Sequence, residues 1–147
     1  MALAPVRPFR AWDFGDHVGV RVALDKAPHS THPEWTKAAL AYLRVRHVRT
    51  NADSPAAVTA MKALNRDLGV RFHFTSSRPA RNADEAAVKL AVQKRAQWVI
   101  AQGLKPITDS IESFNEWDGD GAIPNLWMKQ LGWAQKWLWA MRDNLRA

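Results

Sequence analysis

Hydrophobic positions along the chain alternate between two periods, and the switches between them divide it into β and α segments. Val18-Gly-Val-Arg-Val-Ala-Leu24 reads as a short β-branched strand, and a polar loop follows from Asp25 to Thr31. Pro33 suits the first turn of a helix over about residues 33–45, with Trp35, Ala38, Ala39, Tyr42 and Leu43 at helical spacing as its buried face. His47 to Asn51 is a second strand. Ser54-Pro55 supplies an N-cap and a proline at the first helical position, and Val58, Met61, Leu64 and Leu68 then repeat up to a stop at Gly69.

Val70 to Thr75 alternates as a third strand. Asn82 with Glu85 resembles a capping box, and Val88, Val92, Ala96 and Val99 outline a helix ending near Gly103. Leu104 to Asn115 holds a fourth strand. Beyond the bend Asp118-Gly-Asp-Gly121, Pro124-Asn125 opens a last helix to about residue 144, its face formed by Trp127, Leu131, Ala134, Leu138 and Met141. Residues 1–16 show no period and read as an arm.

The order βαβαβαβα predicts an α/β fold with parallel strands joined by outer helices. Four such units cannot close a barrel of eight, which takes about 250 residues. The 147 residues are expected to form either a small open sheet of flavodoxin-like type or a (βα)4 half of a (β/α)8 TIM barrel. No G-x-G-x-x-G or P-loop accompanies the open-sheet alternative, and no cofactor is expected.

Composition narrows the function classes. With no cysteine, disulfides, thiolate nucleophiles and Cys-ligated metal centres are excluded. No apolar run reaches the length of a membrane span, and MALAPVRPFR lacks the apolar stretch of a signal peptide, so no membrane partner is expected. The net charge of +7 would suit nucleic acid, but the basic residues are scattered over helices at positions left to solvent, Lys37, Arg44, Lys62, Arg66, Lys89, Lys94 and Arg95 among them. No nucleic-acid partner is expected. Asp109, Glu112, Glu116, Asp118 and Asp120 instead concentrate acid in one segment.

That segment, Ile111-Glu-Ser-Phe-Asn-Glu-Trp-Asp118, closes the fourth strand, the end at which parallel α/β sheets gather ligands. A carboxyl group there can act as a general acid where an apolar wall raises its pKa. Strict alternation would send Asn115 and Glu116 to opposite faces, so a shared site requires a bulge or turn. Asn-Glu at this point resembles the acid/base motif of clan A retaining glycoside hydrolases, the cellulase-like TIM barrels.

The resemblance implies that Glu116 protonates the glycosidic oxygen and that Asn115 binds the sugar 2-hydroxyl; Trp117, the one tryptophan at the strand-end face, is the candidate sugar platform by position. The resemblance also implies that Arg49 lies under the catalytic carboxylate and that His73, near the end of strand three, is a polar residue on the substrate side. From the residues alone, Arg49 can equally pair with a strand-end carboxylate, and His73 can equally be a hydrogen-bonded core residue. Ser113-Phe114 departs from the Gly-Pro usual in the family, and the nucleophile, on strand seven in the clan, falls beyond these four strands. The expected chain is therefore the N-terminal half of a carbohydrate-active barrel, inactive until completed. The alternative is a non-catalytic carbohydrate-binding half barrel closed by a second copy.

Among the other candidates, Asp118-Gly-Asp-Gly121 reads as an acidic turn rather than a calcium loop, and His29 and His32 as ordinary loop histidines. Trp35, Trp98, Trp127, Trp133, Trp137 and Trp139 fall on predicted helices and are assigned to packing. Trp12 lies in the arm.

Overall fold

The computed structural model describes residues 18–114 and 126–146. Its elements run β1 (Gly19–Arg21), α1 (Pro33–Leu43), β2 (His47–Thr50), α2 (Pro55–Leu68), β3 (Arg71–Ser76), α3 (Glu85–Ala101), a 3₁₀ turn (Lys105–Ile107), β4 (Thr108–Phe114) and α4 (Leu126–Arg146). The four strands form one parallel sheet in the order β1-β2-β3-β4. Crossovers between parallel strands are right-handed in about 98% of cases, and with strands in sequential order that rule places the three crossover helices on one face. The α/β class and parallel pairing follow the sequence pattern.

Local chemistry accounts for several element ends. Ser54 accepts a hydrogen bond from the Ala57 amide at 3.2 Å, and Pro55 occupies the first helical position. At the other end of α2, Gly69 has φ of 69°, and its amide reaches the Asn65 carbonyl at 2.8 Å. Helix α3 departs from the expected capping box. Asp84, not Asn82, is the N-cap and accepts from the Ala87 amide at 2.9 Å. Helix α1 ends on Arg44, a non-glycine residue at φ 55°.

The helix-side core is built on Val48, Phe72 and Phe74, all fully buried, with Val20 and Ile111 packed against it. Met61 and Leu64 of α2, Leu40 of α1 and Val99 of α3 close over them. Phe74 meets the Trp98 ring edge-on at 5.7 Å between centroids. A second cluster joins Val88 and Val92 of α3 to Phe114 and Ala134, with Trp133, Trp137, Leu138 and Met141 packed around it.

Two helix faces differ from expectation. On α1 the buried residues are Thr36 and Leu40, whereas Trp35, Tyr42 and Leu43 are 59, 87 and 55% exposed. Apolar spacing identified a real stripe on this helix, but a different stripe meets the sheet: the Thr36 hydroxyl satisfies itself by bonding His29 and so buries cheaply. On α4, Gln130 and Ala134 are buried while Leu131 is 37% exposed. Gln130 is admitted because its amide donates to the Arg81 and Ala83 carbonyls at 3.1 and 2.8 Å.

Candidate functional site

Alternation along β1, β2 and β3 sends the apolar residues to the helices and Arg21, His47, Arg49, Arg71 and His73 to the opposite, open face. Strand β4 breaks that rhythm. Phe72 pairs with Thr108 and His73 with Ser110, so Asp109 is an extra residue; a second irregularity skips Ser113 between Glu112 and Phe114. The first bulge turns two consecutive side chains, Asp109 and Ser110, onto the open face.

Two groups of contacts organise this face. Towards the strand starts, Asp109 Oδ2 lies 2.7 Å from His47 Nδ1 and 3.5 Å from His73 Nε2, while its Oδ1 accepts from Arg71 Nε. Arg71 is itself anchored to the carbonyls of Pro106 and Thr108 at 3.3 and 3.1 Å. His73 Nδ1 sits 2.8 Å from the Ser110 hydroxyl. Partial burial pushes the Asp109 carboxyl upward, but the hydrogen bonds from Arg71 and His47 and their charges outweigh it and hold the group below the usual aspartate value.

Towards the strand ends, Arg49 Nε donates to Glu112 Oε2 at 2.6 Å. Both pairs span from β2 to β4 over the top of β3. Two strand spacings come to about 9.6 Å. Side chains from both strands reach over β3 and meet at 2.7 and 2.6 Å.

At the carboxyl ends of β1, β2 and β3 the sheet opens into a cleft of about 330 Å³. Arg21, Arg49, Asn51, Asp53, Thr75 and Arg78 are among its walls, with Arg95 reaching in from α3. The sequence pattern assigned Arg95 to solvent; the structure leaves it only 5% exposed. Its guanidinium donates to the Asn51 carbonyl at 3.2 Å and lies 4.9 Å from the Trp98 ring. Burial lowers its pKa, and the negative charge of Asp53 opposes that shift.

Of the sequence-predicted site residues, Arg49 lines the strand-end cleft and also takes the alternative role foreseen for it, pairing with a carboxylate of β4. His73 is not at the end of its strand. It is the third of six residues in β3 and turns towards Asp109 and Ser110, because the register sets it beside the first bulge of β4. Asn115, Glu116 and Trp117 lie outside the described residues, as do the 1–16 arm with Trp12 and the Asp118-Gly-Asp-Gly121 bend.

His29 bonds Thr36, and His32 stacks on Trp35 at 4.0 Å with Glu34 at 3.1 Å, so these two histidines have separate partners. The His47, His73 and Asp109 cluster was not anticipated. Alternation alone aligns His47 with Arg49 and Arg71 with His73 on one face; only the bulge adds Asp109. No described helix is long and apolar enough to cross a membrane. No protein-family description, curated protein or solved structure matches the chain.

Proposed function

We propose that residues 17–147 are the first four βα units of a (β/α)8 carbohydrate-active barrel, and that Glu116 holds the acid/base position of a retaining glycoside hydrolase with Asn115 on the sugar 2-hydroxyl. The observation carrying this reading is the polar cleft at the carboxyl ends of parallel strands, with Arg49 in its wall. Strand β4 is described to Phe114, and Asn115-Glu116 follow it directly in the chain. Four parallel strands in sequential order, with an apolar core between sheet and helices, match the first half of a barrel wall.

Exposed apolar residues support the barrel half in particular. Among the described residues, six of the eight large exposed apolar side chains fall on the first and last helices: Trp35, Tyr42 and Leu43 on α1, and Met128, Leu131 and Trp139 on α4. Those are the helices that would meet neighbours across the two seams of a completed barrel.

A retaining mechanism needs a second carboxylate about 5–5.5 Å from the first. Glu112 already pairs with Arg49, so hydrolysis awaits a nucleophile from a C-terminal half. The isolated chain is expected to bind oligosaccharide without cleaving it. Titration calorimetry against neutral and acidic oligosaccharides tests this: saturable binding weakened by N115A and W117A is expected. Absence of saturable binding by the folded chain, or binding indifferent to both substitutions, overturns it. Hydrolysis by the chain alone, abolished by E116Q, would refute the need for completion.

The same exposed residues on α1 and α4 favour a second reading, a carbohydrate-binding half barrel closed by a second copy. Sedimentation velocity separates the two, because a monomer at every concentration excludes self-closure.

A further inference from the structure

We propose that His47, His73 and Asp109 form a binding site for one divalent transition-metal ion of the zinc class, on the open face of the sheet and apart from the strand-end cleft. One ligand atom from each residue lies within 4.8 Å of the other two. Two imidazoles and one carboxylate are a donor set that zinc, cobalt and nickel accept, leaving coordination positions for water. The side chains of His47, His73 and Asp109 are 28, 29 and 18% exposed, so an ion can reach them from solvent.

Convergence on a single oxygen distinguishes this group from a chance gathering of polar residues. Asp109 Oδ2 is the atom facing both His47 Nδ1, at 2.7 Å, and His73 Nε2, at 3.5 Å. Donors about 2.1 Å from a tetrahedral ion stand roughly 3.4 Å apart, so the 3.5 Å pair already fits and the 2.7 Å pair needs to open slightly. Metal then takes the place of the hydrogen between His47 Nδ1 and Asp109 Oδ2, and the neutral His47 ring carries its N–H on Nε2 instead.

The surrounding contacts supply the outer shell that metal ligands ordinarily have. Ser110, 2.8 Å from His73 Nδ1, fixes that ring with Nε2 turned to the site. Arg71 holds Oδ1 of Asp109 and is tied to two backbone carbonyls, which orients the carboxylate and leaves Oδ2 inward. The charge of Arg71 opposes a cation, so the expected affinity is below that of a site without it. Bulging at Asp109 is what brings the third ligand to the face.

The test titrates the folded chain with Zn²⁺ by calorimetry and with Co²⁺ by visible absorption. One ion per chain is expected, with a tetrahedral or five-coordinate cobalt spectrum. H47A and H73A should each weaken binding by about tenfold or more, S110A by less, and H32A, on the separate loop histidine, not at all. Should the histidine variants lose their far-UV dichroism, nitrogen NMR of the wild-type chain replaces them: Zn²⁺ must shift the ring signals of His47 and His73. Absence of saturable binding, binding that survives both substitutions, or unshifted ring signals overturns the proposal. Oligosaccharide binding plays no part in these readouts, so either proposal can fail without the other.

Discussion

Arg49 and Glu112 join β2 to β4 across the intervening strand, Nε to Oε2 at 2.6 Å. Their side chains are 33 and 35% exposed, so solvent screens part of the attraction. Both E112Q and R49A should destabilise the chain modestly, and a double-mutant cycle by urea denaturation should return a coupling of about 0.5–1 kcal/mol. A coupling of zero would mean that the pairing of β2, β3 and β4 holds without help from this pair.

Gln130 predicts a larger effect. It is 1% exposed and its amide serves two carbonyls, those of Arg81 and Ala83, tying α4 to the segment before α3. Q130A leaves the buried Ala83 carbonyl without its donor and the part-buried Arg81 carbonyl to solvent, a loss of about 1–3 kcal/mol. Q130L should do no better, since filling the volume does not restore a donor; equal stability of Q130L and wild type would contradict this account.

Much of the fold could be read from spacing and punctuation. Ser54-Pro55, Gly69 and the Val58, Met61, Leu64 series place α2 correctly because cap, stop and buried face are all local. Helix α1 could not be read that way, since which of its stripes is buried is settled by its neighbours, Leu24 and the Ala60, Ala63 and Leu64 side of α2, rather than by the helix. The open face was half legible: alternation aligned His47 with Arg49 and Arg71 with His73. Asp109 was not, because a bulge depends on the register between two strands.

Asp109 also sets an acid dependence. Its folded pKa lies below the unfolded value of about 3.9. A depressed carboxylate contributes stability that is present in full above the unfolded pKa and lost as pH falls through the folded one. The thermal midpoint of the wild type should therefore fall more steeply below about pH 4 than that of D109N, which should be less stable at neutral pH. Parallel curves for the two proteins would rule out the hydrogen-bonded carboxylate.

Arg44 closes α1 at φ 55°, a conformation that disfavours a residue with a Cβ. Its amide still donates to the Ala41 carbonyl at 3.3 Å, so the backbone geometry has a role that glycine would keep. R44G is expected to stabilise the chain by roughly 1 kcal/mol, measured as a higher urea midpoint at unchanged m value. A drop in midpoint would show that the arginine side chain contributes more than its backbone costs.

Arg95 offers a sharper test of how charge and spacing compete. Charge assigns Arg95 to solvent, yet it lies three residues after Val92 and four before Val99 on α3, and the face that buries those valines buries it too. The cost of desolvating the guanidinium is offset by the Asn51 carbonyl, the Trp98 ring and the nearby charge of Asp53. R95A opens a cavity beside Trp98 and should lose about 2–4 kcal/mol. R95M keeps most of the volume and removes the charge along with its desolvation cost, so it should stay within about 1.5 kcal/mol of the wild type. If R95M falls as far as R95A, the guanidinium is held by its hydrogen bond and charge partners rather than by packing. In that case the cleft between β2, β3 and α3 depends on a cation at this position.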